Sequence, residues 1–170
     1  LMEPMLPATT GMLYLLFGTP QHVAYLTNLL LLWPLSCAVF LLATADSRSP
    51  LAGWLAAWVC FTMPGTIVFS REYSPEPVLA VWMALGLWCY VQSDRCQRLP
   101  WAIGTGVCLG LALLSRKIAA VYLAGPLLVA GWQVLSDTRP ERRRRLRHAL
   151  TALGIGAFLA RLWYLPYGKW

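Results

Sequence analysis

Charge is the scarcest property of this chain: Asp, Glu, Lys and Arg make up only 12% of its 170 residues. A soluble domain of that size needs far more polar surface, because a small core cannot hide most of its side chains. The ordinary soluble classes are therefore excluded. Histidine is also rare, with His22 and His148 far apart and each flanking an apolar run, where both read as interfacial residues. The five cysteines (Cys37, Cys60, Cys89, Cys96 and Cys108) contain no C-x-x-C pair, so no ligand spacing supports a metal or redox centre. Four of them lie inside apolar runs, where a thiol behaves as a small hydrophobe. The opening residues lack the basic, apolar and small-residue succession of a signal peptide. With Leu1 first, the chain is expected to be a piece of a longer polytopic protein. No internal repeat suggests the paired halves of a transporter.

What is present is apolar length. Hydrophobic residues make up 58% of the chain, and the mean hydropathy is +0.57. Six candidate spans fall at 23–45, 51–69, 78–93, 100–115, 118–135 and 148–165, all free of charge except for Arg161 in the last. Each approaches the length needed to cross a bilayer. The fourth is short, about 24 Å as a helix, and is expected where the protein is thin or polar. Before them, "GMLYLLFG" (11–18) suits a helix lying at the membrane surface. The fold class expected is all-α: one polytopic transmembrane helical bundle over 1–170, with about six spans and a surface helix near the N-terminus.

Six spans place the loops alternately on two sides. Loops 46–50, 94–99 and 136–147 hold Arg48, Arg95, Arg98, Arg139, Arg142, Arg143, Arg144, Arg145 and Arg147. The opposite side holds Arg71, Arg116, Lys117 and Lys169, with Arg161 one turn inside its helix. The positive-inside rule makes the first side cytoplasmic. The run "RPERRRRLRH" (139–148) then reads as a topology signal, with attraction to anionic lipid as a by-product. No aromatic residue is interleaved with its arginines, so nucleic acid is not the expected partner. Small residues in "GTGVCLGLA" (104–112) and "GIGAF" (154–158) predict close helix–helix packing.

The remaining polar residues map to the exterior side: Glu3, Arg71, Glu72, Tyr73, Glu76, Arg116, Lys117, Arg161, Tyr164, Tyr167 and Lys169. Glu76 before Pro77 has a sufficient structural explanation, since an acid complements a helix N-terminus and proline fits the first turn. Arg71, Glu72 and Tyr73 precede that helix and need another reason. Adjacent cations such as Arg116 and Lys117 are costly next to lipid. They are explained either by snorkelling to the headgroups or by seating a phosphate. The aromatic tail around Tyr164 fits an interfacial belt, and its rings could also stack on a sugar.

In order along the chain, "EPMLPATTGMLYLLFG", "TPQHVAYLTNLLLLW", "SREYSPEPVLAVWMALGLWCY", "GLALLSRKIAAVYLAGPLL" and "RLWYLPYGKW" resemble segments of the GT-C membrane glycosyltransferases. The resemblance is to the protein-mannosyltransferase and aminoarabinose-transferase-like group. Glu76 stands where that group usually has Asp, and Arg116 or Lys117 where it has Lys. The resemblance implies a polyprenyl-phosphate-linked sugar donor used on the exterior face of a plasma membrane, bacterial inner membrane being the expected setting. It also implies transfer to a protein, lipid or glycan acceptor. Substrate contacts would fall to Arg71, Glu72, Tyr73, Glu76, Arg116, Lys117, Arg161 and Tyr164. The catalytic Asp of the group lies in a first exterior loop, which would precede this sequence. Within the chain, Glu3 and Glu76 are the weak candidates. No cofactor is required by this reading, although a divalent metal is compatible with it. Two other classes compete: a transporter or flippase subunit, with charges at mid-bilayer depth and broken helices, and a structural membrane subunit without catalysis.

Overall fold

The computed structural model describes residues 4–18, 21–94, 96–136 and 139–167, and these are helical throughout apart from short turns. Helix α1 spans Met5–Phe17, α2 Gln21–Ser47, α3 Pro50–Thr62 and α4 Pro64–Arg71. Then follow α5 Glu76–Gln92, α6 Leu99–Ser115, α7 Ala119–Leu135 and α8 Arg139–Tyr167. Each of the six apolar runs coincides with helix. Of these, α2 and α8 are long and apolar enough to cross a bilayer on their own.

The second run departs from expectation. It is split at Met63, whose extended backbone (ψ 128°) separates α3 from α4. The cause is Pro64, which cannot donate a helical N–H and which biases the residue before it away from the helical region. Prolines act as starters elsewhere, within the first two positions of α3, α5 and α6. Helix α8 begins earlier than its apolar run, because the arginines before it continue the same helix.

Helices α3, α2, α5, α6 and α8 stand side by side in that order, with α1 against α2 and α6, and α7 leaning on α6 and α8. Leu32, Leu35 and Ala38 of α2 meet Val81 and Ala84 of α5. Leu79 of α5, Ala112 of α6, and Ala119 and Leu123 of α7 form a second cluster. Lipid tails are as apolar as leucine, so packing within a membrane gains little from burial itself and much from close approach. Glycines provide it. A Cβ at Gly106 would lie 2.4 Å from the Ala152 carbonyl oxygen of α8, and one at Gly156 would lie 3.1 Å from the Gly106 oxygen. A Cβ at Gly53 would reach 2.1 Å from Thr44 Oγ1, which fixes the approach of α3 to α2.

Contacts between loops collect at two ends of this row. At one end, Arg144 Nη2 donates to Gln97 Oε1 (3.3 Å), and His148 Nδ1 lies 2.9 Å from the Cys96 carbonyl oxygen. Loop 94–99 and the start of α8 therefore meet, as the alternation of loops predicts. The turn there is tight: Asp94 and Cys96 have φ of 50° and 66°. Ser93 holds it together, donating to the Tyr90 carbonyl (2.6 Å) and accepting from the Cys96 N–H (2.9 Å).

Candidate functional site

The other end carries the polar groups singled out in the sequence. Helices α5 and α6 are both 17 residues long and run antiparallel, so the start of one lies beside the end of the other. The positive end of the α5 dipole and the negative end of the α6 dipole are thus neighbours. Glu76 complements the first and Arg116 the second, and the two form an ion pair across the helix ends. Ser74 donates to the second oxygen of the Glu76 carboxylate at 2.6 Å. Two residues 40 positions apart are joined because equal helix lengths bring them level.

The turn leading into α5 is held from outside. The Asn28 side chain is fully buried, and its amide donates to the carbonyl oxygens of Phe69 (3.3 Å) and Ser74 (3.1 Å) and also to that of Glu72. Backbone carbonyls of a turn in an apolar setting need such donors, since an unmade hydrogen bond there is expensive. Tyr73 extends from the same turn, and its hydroxyl bonds Thr10 Oγ1 of α1 at 3.2 Å. The Glu72 side chain is exposed.

Lys117 and Tyr164 form the third part. The Lys117 ammonium sits 5.3 Å from the centre of the Tyr164 ring, within cation–π range. The Tyr164 hydroxyl donates to the Leu113 carbonyl at 2.9 Å. That carbonyl belongs to the last turn of α6, where oxygens lack helical partners. One tyrosine therefore ties α8 to the end of α6 and offers its face to the cation.

Arg71 closes α4 and is exposed; among the described residues it makes no ion pair. With His22, Tyr25, Leu26 and Leu29 of α2 it lines a cavity of about 380 Å³. Arg161 is placed apart, beside Phe158, Leu162 and Leu165 on an exposed face of α8. Glu3 and Lys169 lie outside the described residues, as do the side chain of Tyr167 and all of Arg95. Among the described residues no group of three His, Cys, Asp or Glu is placed to hold a metal ion.

Sequence reasoning did not place Asn28, His22 or Tyr25 among the site residues, and His22 reads there only as an interfacial residue. Asn28 left a usable signal, because an uncharged amide in "YLTNLLLLW" is out of place unless something needs its hydrogen bonds. His22 and Tyr25 left none, since only the fold of α4 back onto α2 sets Arg71 beside them.

Helical content, apolar spans and a polar end built from several loops define an integral membrane protein. Residues 9–168 match the dolichyl-phosphate-mannose-protein mannosyltransferase family, and the chain belongs to it. No curated protein and no solved structure matches the chain. The family is one of membrane glycosyltransferases, in agreement with the resemblance noted in the sequence.

Proposed function

We propose that the polar end of this bundle serves transfer of a sugar from a polyprenyl-phosphate-linked donor to a protein, lipid or glycan acceptor, on the exterior membrane face. The observation that carries the reading is the cavity joining Arg71, His22 and Tyr25 to Leu26 and Leu29. A guanidinium, an imidazole and a phenol above two leucines suit an amphiphile with an anionic head and a hydrocarbon tail.

In the reaction the acceptor hydroxyl attacks the anomeric carbon. The bond from that carbon to the donor phosphate oxygen breaks, the lipid phosphate leaves with the electron pair, and the hydroxyl proton passes to a carboxylate base. Negative charge grows on the departing phosphate, so cations fixed beforehand near it lower the barrier. Arg71 has that role, with Lys117 contributing from the turn between α6 and α7. Glu72, Tyr73, Tyr164 and Arg161 are proposed to contact the sugar or the donor head. Glu76, with its carboxylate already engaged by Arg116 and Ser74, fits a scaffold role better than that of the base. Positioning of charge near the membrane surface also favours this reading over transport, which calls for charged groups at mid-bilayer depth.

The test is transfer of radiolabelled sugar from polyprenyl phosphate by the full-length protein. Arg71→Ala should lower turnover about 100-fold or more, the scale for losing one preorganised charge-stabilising group. Unchanged turnover at subsaturating donor would remove Arg71 from the site.

A further inference from the structure

The opposite end of the bundle holds a second feature, independent of the sugar chemistry. Helix α7 packs on α5 and α6 through Ala119 and Leu123 and is held to α5 by the Tyr90–Gln133 hydrogen bond (3.0 Å). Between α6, α7 and α8 a cavity of about 350 Å³ remains, lined also by Tyr90 and Cys96. Leu109 of α6, Leu127 and Ala130 of α7, and Leu146, Leu150 and Leu153 of α8 are among its lining residues. That lining is open to the surroundings, with Leu150 59% and Leu153 47% exposed. Towards the basic end, Arg142 and Arg143 precede Leu146 by four and three positions, so they continue the same face of α8 by one turn. Both are exposed. Their neighbours are already occupied within the fold. Arg144 bonds Gln97, and Arg145, 6% exposed, pairs with Glu141 at 3.5 Å.

We infer that this cleft binds one anionic phospholipid, with an acyl chain between α6, α7 and α8 and its phosphate on Arg142 and Arg143. The leucine lining argues for a hydrocarbon occupant, since Leu109, Leu127, Leu146, Leu150 and Leu153 give dispersion contacts along the slot. A flexible hydrocarbon chain fills a narrow apolar slot without needing hydrogen bonds. Charge argues for an anionic head: two exposed arginines one helical turn beyond Leu146, on the face of α8 that lines the groove, attract a phosphate that no choline ammonium neutralises. Arg143 and Arg142 then select the headgroup, while the leucines accept any tail of sufficient length.

Delipidated full-length protein in detergent, titrated with dioleoyl-phosphatidylglycerol or dioleoyl-phosphatidylcholine and read by native mass spectrometry, tests the assignment. The wild type should retain the glycerol lipid with roughly 10- to 30-fold tighter binding, the scale for two arginines near a lipid surface. Arg142→Gln with Arg143→Gln should remove that preference and leave weak, headgroup-blind binding. Because both side chains are exposed, this variant should fold. Ala130→Phe, which fills the cleft, should weaken both lipids. Raising salt from 0.05 to 0.5 M should narrow the preference in the wild type alone. Equal retention of the two lipids by the wild type overturns the inference. So does a preference that survives the double glutamine substitution.

Discussion

Asn28 does more at the candidate site than any charged residue near it. Its amide supplies donors to three carbonyls of the turn before α5, and that turn presents Arg71, Glu72 and Tyr73. Removing it leaves part-buried carbonyls without that donor, which costs up to about 1–3 kcal/mol. Asn28→Ala should therefore lower stability by that amount in thermal unfolding of the detergent-solubilised protein. Donor affinity should fall with it, since the turn loses its hold. An Asn28→Ala protein as stable as the wild type would show that water replaces the amide. At the other end, Cys96 is 5% exposed, and burial pushes its thiol above the ordinary cysteine range. Nearby Ser93 and Arg145 oppose that push without cancelling it. Only the thiolate reacts, so a raised pKa means less reactive form at any given pH. Maleimide labelling of Cys96 should be slow at pH 7.5 and accelerate only as pH rises beyond the usual thiol range. Rapid labelling at neutral pH would contradict the burial.

Between elements, the α6–α8 contact depends on missing side chains. Gly106 has no room for a methyl against the Ala152 backbone, whereas Gly154 has nothing within 4 Å of its would-be Cβ. The two glycines therefore predict opposite signs. Gly106→Ala should destabilise by about 1–3 kcal/mol, because backbone must move to admit the new carbon. Gly154→Ala should be neutral or stabilise by up to about 1 kcal/mol, through helix propensity alone. Paired unfolding measurements decide the matter, and equal effects would mean that the helices do not approach as closely as described. The same contact has a bearing on the site. Tyr164 reaches the end of α6 only because α8 lies flush along it, so loosening Gly106 should also disturb the seat of Lys117.

For the whole molecule, the alternating loops make a topological prediction. Single cysteines placed at Arg48, Arg98 and Ser136 in a cysteine-free background should label from one side of the membrane with an impermeant reagent. Cysteines at Glu72 and Lys117 should label from the other. The arginine-rich side is proposed as cytoplasmic. A mixed pattern would break the topology, and a complete reversal would keep the bundle but invert its orientation.

How much of this was legible beforehand differs by feature. Spans, two-sided charge and close packing at the small residues of 104–112 and 154–158 were readable, because hydropathy and side-chain size are local properties, but that these two segments meet each other was not. Arg71, Glu72, Tyr73, Glu76, Arg116, Lys117 and Tyr164 were readable as residues of one side, since loop alternation assigns them there. Their pairing was not. Arg116 read as either a snorkelling residue or a phosphate seat, and the fold engages it with Glu76, a partner 40 residues away. Tyr164 read as an interfacial ring, and it bridges α8 to α6. Arg161 read as one of the exterior-side cations, and it stands on the exposed side of α8. Pro64 was visible as a residue, but the split it makes in the second run appeared only in three dimensions. Composition and the order of charges determined by themselves that this chain is a helical membrane protein with one arginine-rich side. Tertiary structure alone decided which charges meet, because helix length and crossing set which ends come level, and no local pattern encodes that.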